Sequence, residues 1–325
     1  MSNAMVMKKI FKRILYILFS LLAVILLLGL VLAFLPMKSK VKQKGILPEE
    51  AAIMRREFRG AHHQITTSDG ETLFLRRWNP DPIDSTKKDL AILILHGVTA
   101  HSGAYDMAGV PISKGGYTTF GLDYRGHGLS GGNRADYPNK ERWLADLSEA
   151  IRYIKKMGYP KVVVLGHSLG VAAAIYVTKA IPTEISGLIL LSGAYEGKKG
   201  VRTPPTLFEK ARILSSSIFR PSVQVVEYYR EGMTGTGDPL FNFKYTLRFL
   251  TMLNVKELIL PKQLNIPVLV GTGDKDELFE VDKVKELYDA VPGNKKEFVI
   301  LKDTYHARFP VESWERVVLW LDENY

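Results

Sequence analysis

Lys161-Val162-Val163-Val164-Leu165-Gly166-His167-Ser168-Leu169-Gly170-Val171-Ala172-Ala173-Ala174-Ile175-Tyr176-Val177 is the stretch whose reading decides the fold. Its first five residues form a β-branched apolar run, the pattern of a buried strand. Its last seven are rich in alanine and read as a helix. Between the two, Gly166-His167-Ser168-Leu169-Gly170 has the form of a nucleophile elbow, a sharp turn that holds a serine in strained backbone geometry at the top of a sheet. A β-carbon at Gly166 or Gly170 would collide with the facing strand or helix. The helix N-terminus sets positive potential and N–H groups beside the serine. A tight turn with a capping serine would carry the same five residues. The partners of the serine therefore decide between the two readings.

In this type of site an acid and then a histidine follow the serine. Asp274 closes Val268-Leu269-Val270-Gly271-Thr272-Gly273, in the turn after a strand. His306 stands in Asp303-Thr304-Tyr305-His306, between the next strand and the last helix. Both fall on the sheet edge that carries Ser168. His306 is expected to take the proton of Ser168, and Asp274 to orient His306. Asp276 is the alternative acid; Asp274 is preferred because it ends the strand directly. The oxyanion hole needs two N–H donors, assigned to Leu169 after the serine and to Val98 in the loop after the third strand. His62, His63, His101 and His167 read as surface or turn residues, and His127 as a loop-shaping residue. No metal cluster or dinucleotide-binding glycine motif stands out, so neither metal nor cofactor is expected.

Outward from the elbow the chain alternates strands and helices. His63 to Thr67 and Thr72 to Trp78 read as a hairpin, and Leu90 to Leu95 as a buried strand. A helix is expected from Gly103 to Lys114, a strand from Tyr117 to Leu122 and a helix from Glu141 to Met157. Beyond the elbow come strands at Gly187–Ser192, Val268–Gly271 and Glu297–Leu301, and helices at Val281–Val291 and Trp314–Leu321. Such alternation predicts an α/β fold, a mostly parallel sheet covered by helices on both faces. From 194 to 260 it stops: the segment is apolar, helical and irregular, with no convincing strand, and reads as a cap above the sheet edge.

The chain has 325 residues, no cysteine and a formal charge of +10. Without cysteine there is no disulfide, thiolate nucleophile or zinc–thiolate site. Lys8, Lys9, Lys12, Arg13, Lys38, Lys40, Lys42 and Lys44 face no acidic residue before Gly45, so the amino-terminal tail holds most of the excess. No basic-aromatic stripe argues for a nucleic-acid partner. Met1-Ser2-Asn3-Ala4 resembles the scar of a cleaved tag, and 1–13 reads as scar plus basic leader. Ile14 to Leu35 is uncharged and, at about 1.5 Å per residue, spans roughly 33 Å as a helix, enough to cross a hydrocarbon core. It is read as a single-pass membrane anchor rather than a cleaved signal. A short basic leader places the catalytic domain outside the cytoplasm. Residues 36–60 read as a juxtamembrane linker, in which Pro48-Glu49-Glu50 starts a short helix, and 61–325 as the catalytic domain.

Five places in that domain resemble the α/β-hydrolase superfamily, and within it the monoacylglycerol lipase and lysophospholipase group. His96-Gly97-Val98-Thr99-Ala100-His101-Ser102-Gly103-Ala104-Tyr105 looks like the HGxxxHSGxY stretch of that group. Asp123-Tyr124-Arg125-Gly126-His127-Gly128-Leu129-Ser130 looks like its GHGxS turn, and the elbow is similar to its GHSxG. Gly271-Thr272-Gly273-Asp274 and Tyr305-His306 fall where the group carries its acid and base. Val171 departs from the pattern, which often has a further glycine there. The resemblance implies carboxylic-ester hydrolysis through an acyl-enzyme, on single-chain lipid esters such as a monoacylglycerol or lysophospholipid, beneath a helical cap. An aminopeptidase or acyltransferase with the same triad is the alternative. An aminopeptidase would place an acidic pair in the cap, where Glu196, Glu209, Glu227, Glu231 and Asp238 are scattered.

Overall fold

The computed structural model describes residues 3–36, 39–42, 45–81, 84–201, 204–252 and 263–325. Parts of the expected leader (1–2), linker (37–38, 43–44) and cap (202–203, 253–260) lie outside the described residues.

Among the described residues, eight strands form one sheet. They are β1 (His62–Thr66), β2 (Thr72–Trp78), β3 (Leu90–Leu95), β4 (Thr118–Leu122), β5 (Lys161–His167), β6 (Gly187–Leu191), β9 (Val268–Gly273) and β10 (Lys296–Leu301). The order is β1-β2-β4-β3-β5-β6-β9-β10. The hairpin β1–β2 joins antiparallel at one edge, and every pair from β4 to β10 is parallel. Parallel register carries the chain out of the sheet at one edge: Leu95 lies opposite Gly166, His167 opposite Leu191, and Leu301 opposite Gly273. The loops after β3, β5, β9 and β10 therefore meet, which is where open α/β sheets place their sites.

Alternate residues of the central strands bury on opposite faces. Leu93, Leu95, Val162, Val164 and Leu190 pack with α4 (Lys140–Lys156), α5 (Leu169–Ala180) and α8 (Val281–Ala290). Ile92, Ile94, Val163, Leu165 and Ile189 pack with α3 (Asp106–Lys114) and α9 (Val311–Asn324). These two cores draw their buried residues from positions 65–321 alone. The expected helix at Gly103 instead begins as a 3₁₀ turn, Ser102–Tyr105, before α3.

Helix α1 (Asn3–Phe34) is longer than the expected anchor, and its apolar side chains are exposed along most of its length. It is long and apolar enough to cross a membrane; a signal sequence would look the same. The linker is structured where it is described. Helix α2 (Pro48–Glu57) carries Pro48 in its first turn, and Glu50 closes back on the Leu47 N–H at 2.6 Å. Arg55 ties α2 to the Leu129 carbonyl.

The segment expected to lack strands contains a small antiparallel ribbon, β7 (Val226–Glu227) with β8 (Lys244–Tyr245), between α6 (Leu207–Phe219) and α7 (Leu247–Met252). Two residues per strand are too few to show alternation in sequence. Tertiary bonds hold the ribbon down: Thr99 N–H donates to Tyr245 Oη at 2.7 Å and Asn242 N–H to Thr99 O at 2.9 Å.

Candidate active site

The elbow forms as its residues predict. Ser168 sits at φ 55°, ψ −117°, between β5 and α5. A non-glycine residue there costs about 1–3 kcal/mol, which the packed strand and helix must hold in place. The glycines permit that packing. A β-carbon on Gly170 would stand 1.9 Å from Leu95 O, and one on Gly166 would stand 2.3 Å from Gly170 O.

His306 Nε2 lies 3.1 Å from Ser168 Oγ, and His306 Nδ1 lies 3.1 Å from a carboxylate oxygen. That carboxylate belongs to Asp276, which corrects the expectation for Asp274. After β9 the chain reverses in one turn closed by Asp276 N–H to Gly273 O at 3.3 Å. The reversal leaves Asp274 exposed, accepting only a 3.2 Å bond from Thr304 N–H among its described contacts, and turns Asp276 inward to 2 % exposure. Asp276 also accepts from the N–H groups of Leu278 (2.8 Å) and Phe279 (3.0 Å). Burial pushes its pKa up, but the hydrogen bond and charge of His306 and the Leu278 N–H outweigh this and bring it down to about 2. It is thus a carboxylate at neutral pH, with His306 on it.

Val98 and Leu169 both border the space in front of Ser168. A β-carbon on Gly97 would come within 3.2 Å of Ser168 Cβ, so the loop after β3 lies against the serine. The Gly97 N–H is already used, donating to Tyr105 Oη at 2.7 Å. The next N–H along is that of Val98.

Two residues that read as surface or turn positions are buried here: His167 (4 % exposed) and His101 (3 %). His167 Nε2 lies 2.8 Å from His306 O, a group that only accepts, so Nε2 carries the hydrogen. Burial, aided by the charge of His306, lowers the His167 pKa to about 3. The ring is neutral, and Nδ1 accepts from Tyr105 Oη at 2.7 Å. One chain of bonds therefore runs from the Gly97 N–H through Tyr105 and His167 to the backbone of His306. It braces the loop after β3 against the loop after β10. Only the motif positions of Tyr105 and His167 signalled this in sequence. His101 ties the cap down, its Nε2 lying 2.9 Å from Asp238 Oδ2. His127 is buried in its loop with Nδ1 on Arg125 O, as its loop-shaping reading requires.

Two cavities open on Ser168. One, of about 490 Å³, runs between Leu169, Ala194, Tyr195, Leu250, Phe279 and Leu287 and is mainly apolar. The other, of about 100 Å³, is lined by Tyr105, Arg230, Phe241, Glu277 and His306. Arg230 pairs with Glu277 at 3.0 Å, and Glu277 also accepts the His306 N–H at 3.0 Å.

The family described as serine aminopeptidase, S33, matches residues 86–312. The chain belongs to this family. Its fold is that of the α/β-hydrolases. It is 28 % identical over 262 residues to the monoglyceride lipase of Rattus norvegicus, covering 75 % of this chain and 82 % of that protein. It is 24 % identical over 263 residues to a monoacylglycerol lipase of Mycolicibacterium smegmatis, covering 77 % and 91 %. Among solved structures, a monoacylglycerol lipase of Paleococcus ferrophilus superposes with a TM-score of 0.61 at 19 % identity, over 78 % of this chain and 99 % of that one. A soluble variant of the Saccharomyces cerevisiae monoglyceride lipase gives 0.62 at 17 % identity, over 89 % and 99 %. At these identities the likeness to solved structures concerns the fold.

Proposed function

We propose that this protein hydrolyses single-chain lipid esters, monoacylglycerol or lysophospholipid, through Ser168, His306 and Asp276. That it is a carboxylic ester hydrolase follows from its family and from the lipases it resembles; the substrate and the residue roles go further. The observation that carries the reading is the Ser168–His306–Asp276 chain of hydrogen bonds, opening on a mainly apolar cavity of a size common for small-molecule sites.

Ser168 Oγ attacks the ester carbonyl carbon as His306 Nε2 takes its proton. The carbonyl oxygen becomes an oxyanion, held by the N–H groups of Val98 and Leu169 and the positive end of α5. The C–O bond to the alcohol breaks, and His306 gives the proton to the leaving oxygen. Water then attacks the acyl-enzyme, again with His306 as base, releasing the fatty acid and restoring Ser168. Asp276 fixes the tautomer of His306 and stabilises its imidazolium.

The family's printed description raises an aminopeptidase as the second reading. A substrate ammonium needs an uncommitted carboxylate near Ser168. Glu277, the acid lining the smaller cavity, is paired with Arg230. Asp238 is on His101, and Glu209 caps α6 through Thr206. The ester reading fits these commitments better.

We also propose that α1 is a retained single-pass anchor with the hydrolase domain outside the cytoplasm. Leu207 (84 % exposed), Leu214 and Ile218 form an apolar stripe on α6, which packs beside α1. On this proposal the stripe, exposed on a helix beside the anchor, meets the bilayer, where long-chain substrate is concentrated. Of the five apolar side chains Phe208, Ile218, Phe219, Phe241 and Phe243, which sequence alone would place at such an entrance, the first three are exposed, while Phe241 and Phe243 are buried.

The test is a substrate screen of the full chain and Ser168→Ala in detergent: p-nitrophenyl esters of graded length, monoacylglycerol, lysophospholipid and aminoacyl amides. Turnover of the single-chain lipid esters should dominate. Ser168→Ala should lose fluorophosphonate labelling and about 10⁶ in kcat. Faster cleavage of amides than of esters would give the aminopeptidase reading instead.

A further inference from the structure

The last carbonyls of a helix have no partner within it. At the end of α1, helix α6 supplies partners. Ser216 Oγ and Arg220 Nη1 donate to Ala33 O at 3.3 and 3.2 Å, and the Arg220 guanidinium lies 4.7 Å from the Phe34 ring centre. Beyond this contact, Ser39–Val41 runs onto the cap ribbon. Glu227 Oε1 accepts from Ser39 Oγ at 2.6 Å and from Val41 N–H at 3.3 Å, while Oε2 accepts from Lys40 N–H at 3.0 Å. The Val41 side chain is 7 % exposed and packs with Phe241 and Phe243.

These contacts end next to the reacting atoms. Phe241 lines the smaller cavity at Ser168, and Tyr228, the residue after Glu227, lines both. The ribbon that carries Glu227 has two residues per strand. A ribbon so short does not hold its shape alone. Contacts outside it must fix where Tyr228 and Phe241 stand: Thr99 holds the β8 side, and Ser39–Val41 is what meets Glu227 on the β7 side.

We propose that Ser39–Val41 is a strap that fixes the cap ribbon over Ser168, and that Glu227 is the positioning residue that fastens it. The chain just beyond the anchor thereby shapes the substrate cavity, besides joining two parts of the protein. The inference rests on Ser168 being the reacting serine. It also alters a natural truncation experiment: removing residues 1–44 takes away the strap with the anchor, whereas removing 1–36 takes the anchor and leaves the strap.

The experiment uses the full chain in detergent with Glu227→Ala and Glu227→Gln, and the two deletions, all on soluble p-nitrophenyl butyrate. Glu227→Ala should raise KM about fivefold or more while kcat stays within about threefold, because the triad is untouched and the cavity walls are not. Glu227→Gln keeps one acceptor oxygen and should fall between. Removal of 1–36 should match the full chain within about twofold, and removal of 1–44 should match Glu227→Ala. Amide exchange supplies a second readout. In Glu227→Ala, peptides spanning 225–229 and 241–246 should exchange about tenfold faster, and those of β5 should not change. Equal KM for both deletions, or unchanged exchange of the ribbon, overturns the strap. If Ser168→Ala keeps its activity, the reading of the reaction has failed instead, and ribbon exchange still decides the strap.

Discussion

Asp274 and Asp276 are two residues apart and lead different lives. The first is exposed; the second is buried beneath His306, its carboxylate also bonded to Thr272 and to the N–H groups of Leu278 and Phe279. Asp276→Asn should therefore lower kcat by about 10⁴, the scale seen when the orienting carboxylate of such a triad becomes an amide. Asp274→Asn should stay within a few-fold of the parent. Steady-state rates on p-nitrophenyl butyrate check both, and equal losses would return the acid role to Asp274. The sequence could not separate them, because what distinguishes them is the one-turn reversal after Gly273 and the docking of the loop after β10. The elbow at Ser168 and its bond to His306 could be anticipated for the opposite reason. The elbow is a local motif whose glycines are dictated by contacts a few residues away, and His306 alone among the histidines follows both candidate acids.

At the scale of elements, the sheet strands could be read within a residue or two because the central ones are apolar runs between turn residues and β1 pairs with β2 across the short turn Ser68-Asp69-Gly70. The ribbon β7–β8 could not, since its shape comes from Thr99 and the strap rather than from its own pattern. Helix α6 tests the membrane proposal. Its Leu214 and Ile218 are 58 % and 64 % exposed, so replacing both with glutamate should cost the fold little. Turnover of long-chain monoacylglycerol in vesicles by Leu214→Glu/Ile218→Glu should fall several-fold. Turnover of p-nitrophenyl butyrate should not change. Unchanged turnover on vesicles would mean that α6 does not meet the bilayer.

For the whole molecule, three buried histidines make the fold sensitive to acid. Burial lowers the pKa of His96 to about 4 and of His167 to about 3, and holds His127 well below its usual value. All three are neutral in the fold, and each binds a proton near pH 6.5 once unfolded. Unfolding therefore takes up protons below that pH. The stability these residues contribute is complete above about pH 6.5 and is lost as pH falls toward about 4 and 3, by up to about 1.4 kcal/mol per pH unit for each histidine. Urea unfolding followed from pH 8 to pH 4 should show midpoints that fall steeply below about pH 6. A flat profile between pH 7 and pH 5 would mean that these rings are already charged or open to water in the fold. Sequence offered little warning, because a histidine in a glycine-rich turn looks polar and exposed until the loops close over it.

The cap leaves the sheet at β6 and the chain re-enters it at β9, and those two strands are paired neighbours, with Leu191 beside Gly271. Paired strands lie only about 4.8 Å apart. Everything between them is an excursion that begins and ends at almost the same point, while Ser168, Asp276 and His306 all lie outside it. In engineering terms this is a cassette with one socket. On the proposed reading of the site, exchanging it should change which esters reach Ser168 and leave Ser168, His306 and Asp276 in place, provided the incoming piece again offers an acid to His101, a hydroxyl to the Thr99 N–H and a carboxylate to Ser39–Val41.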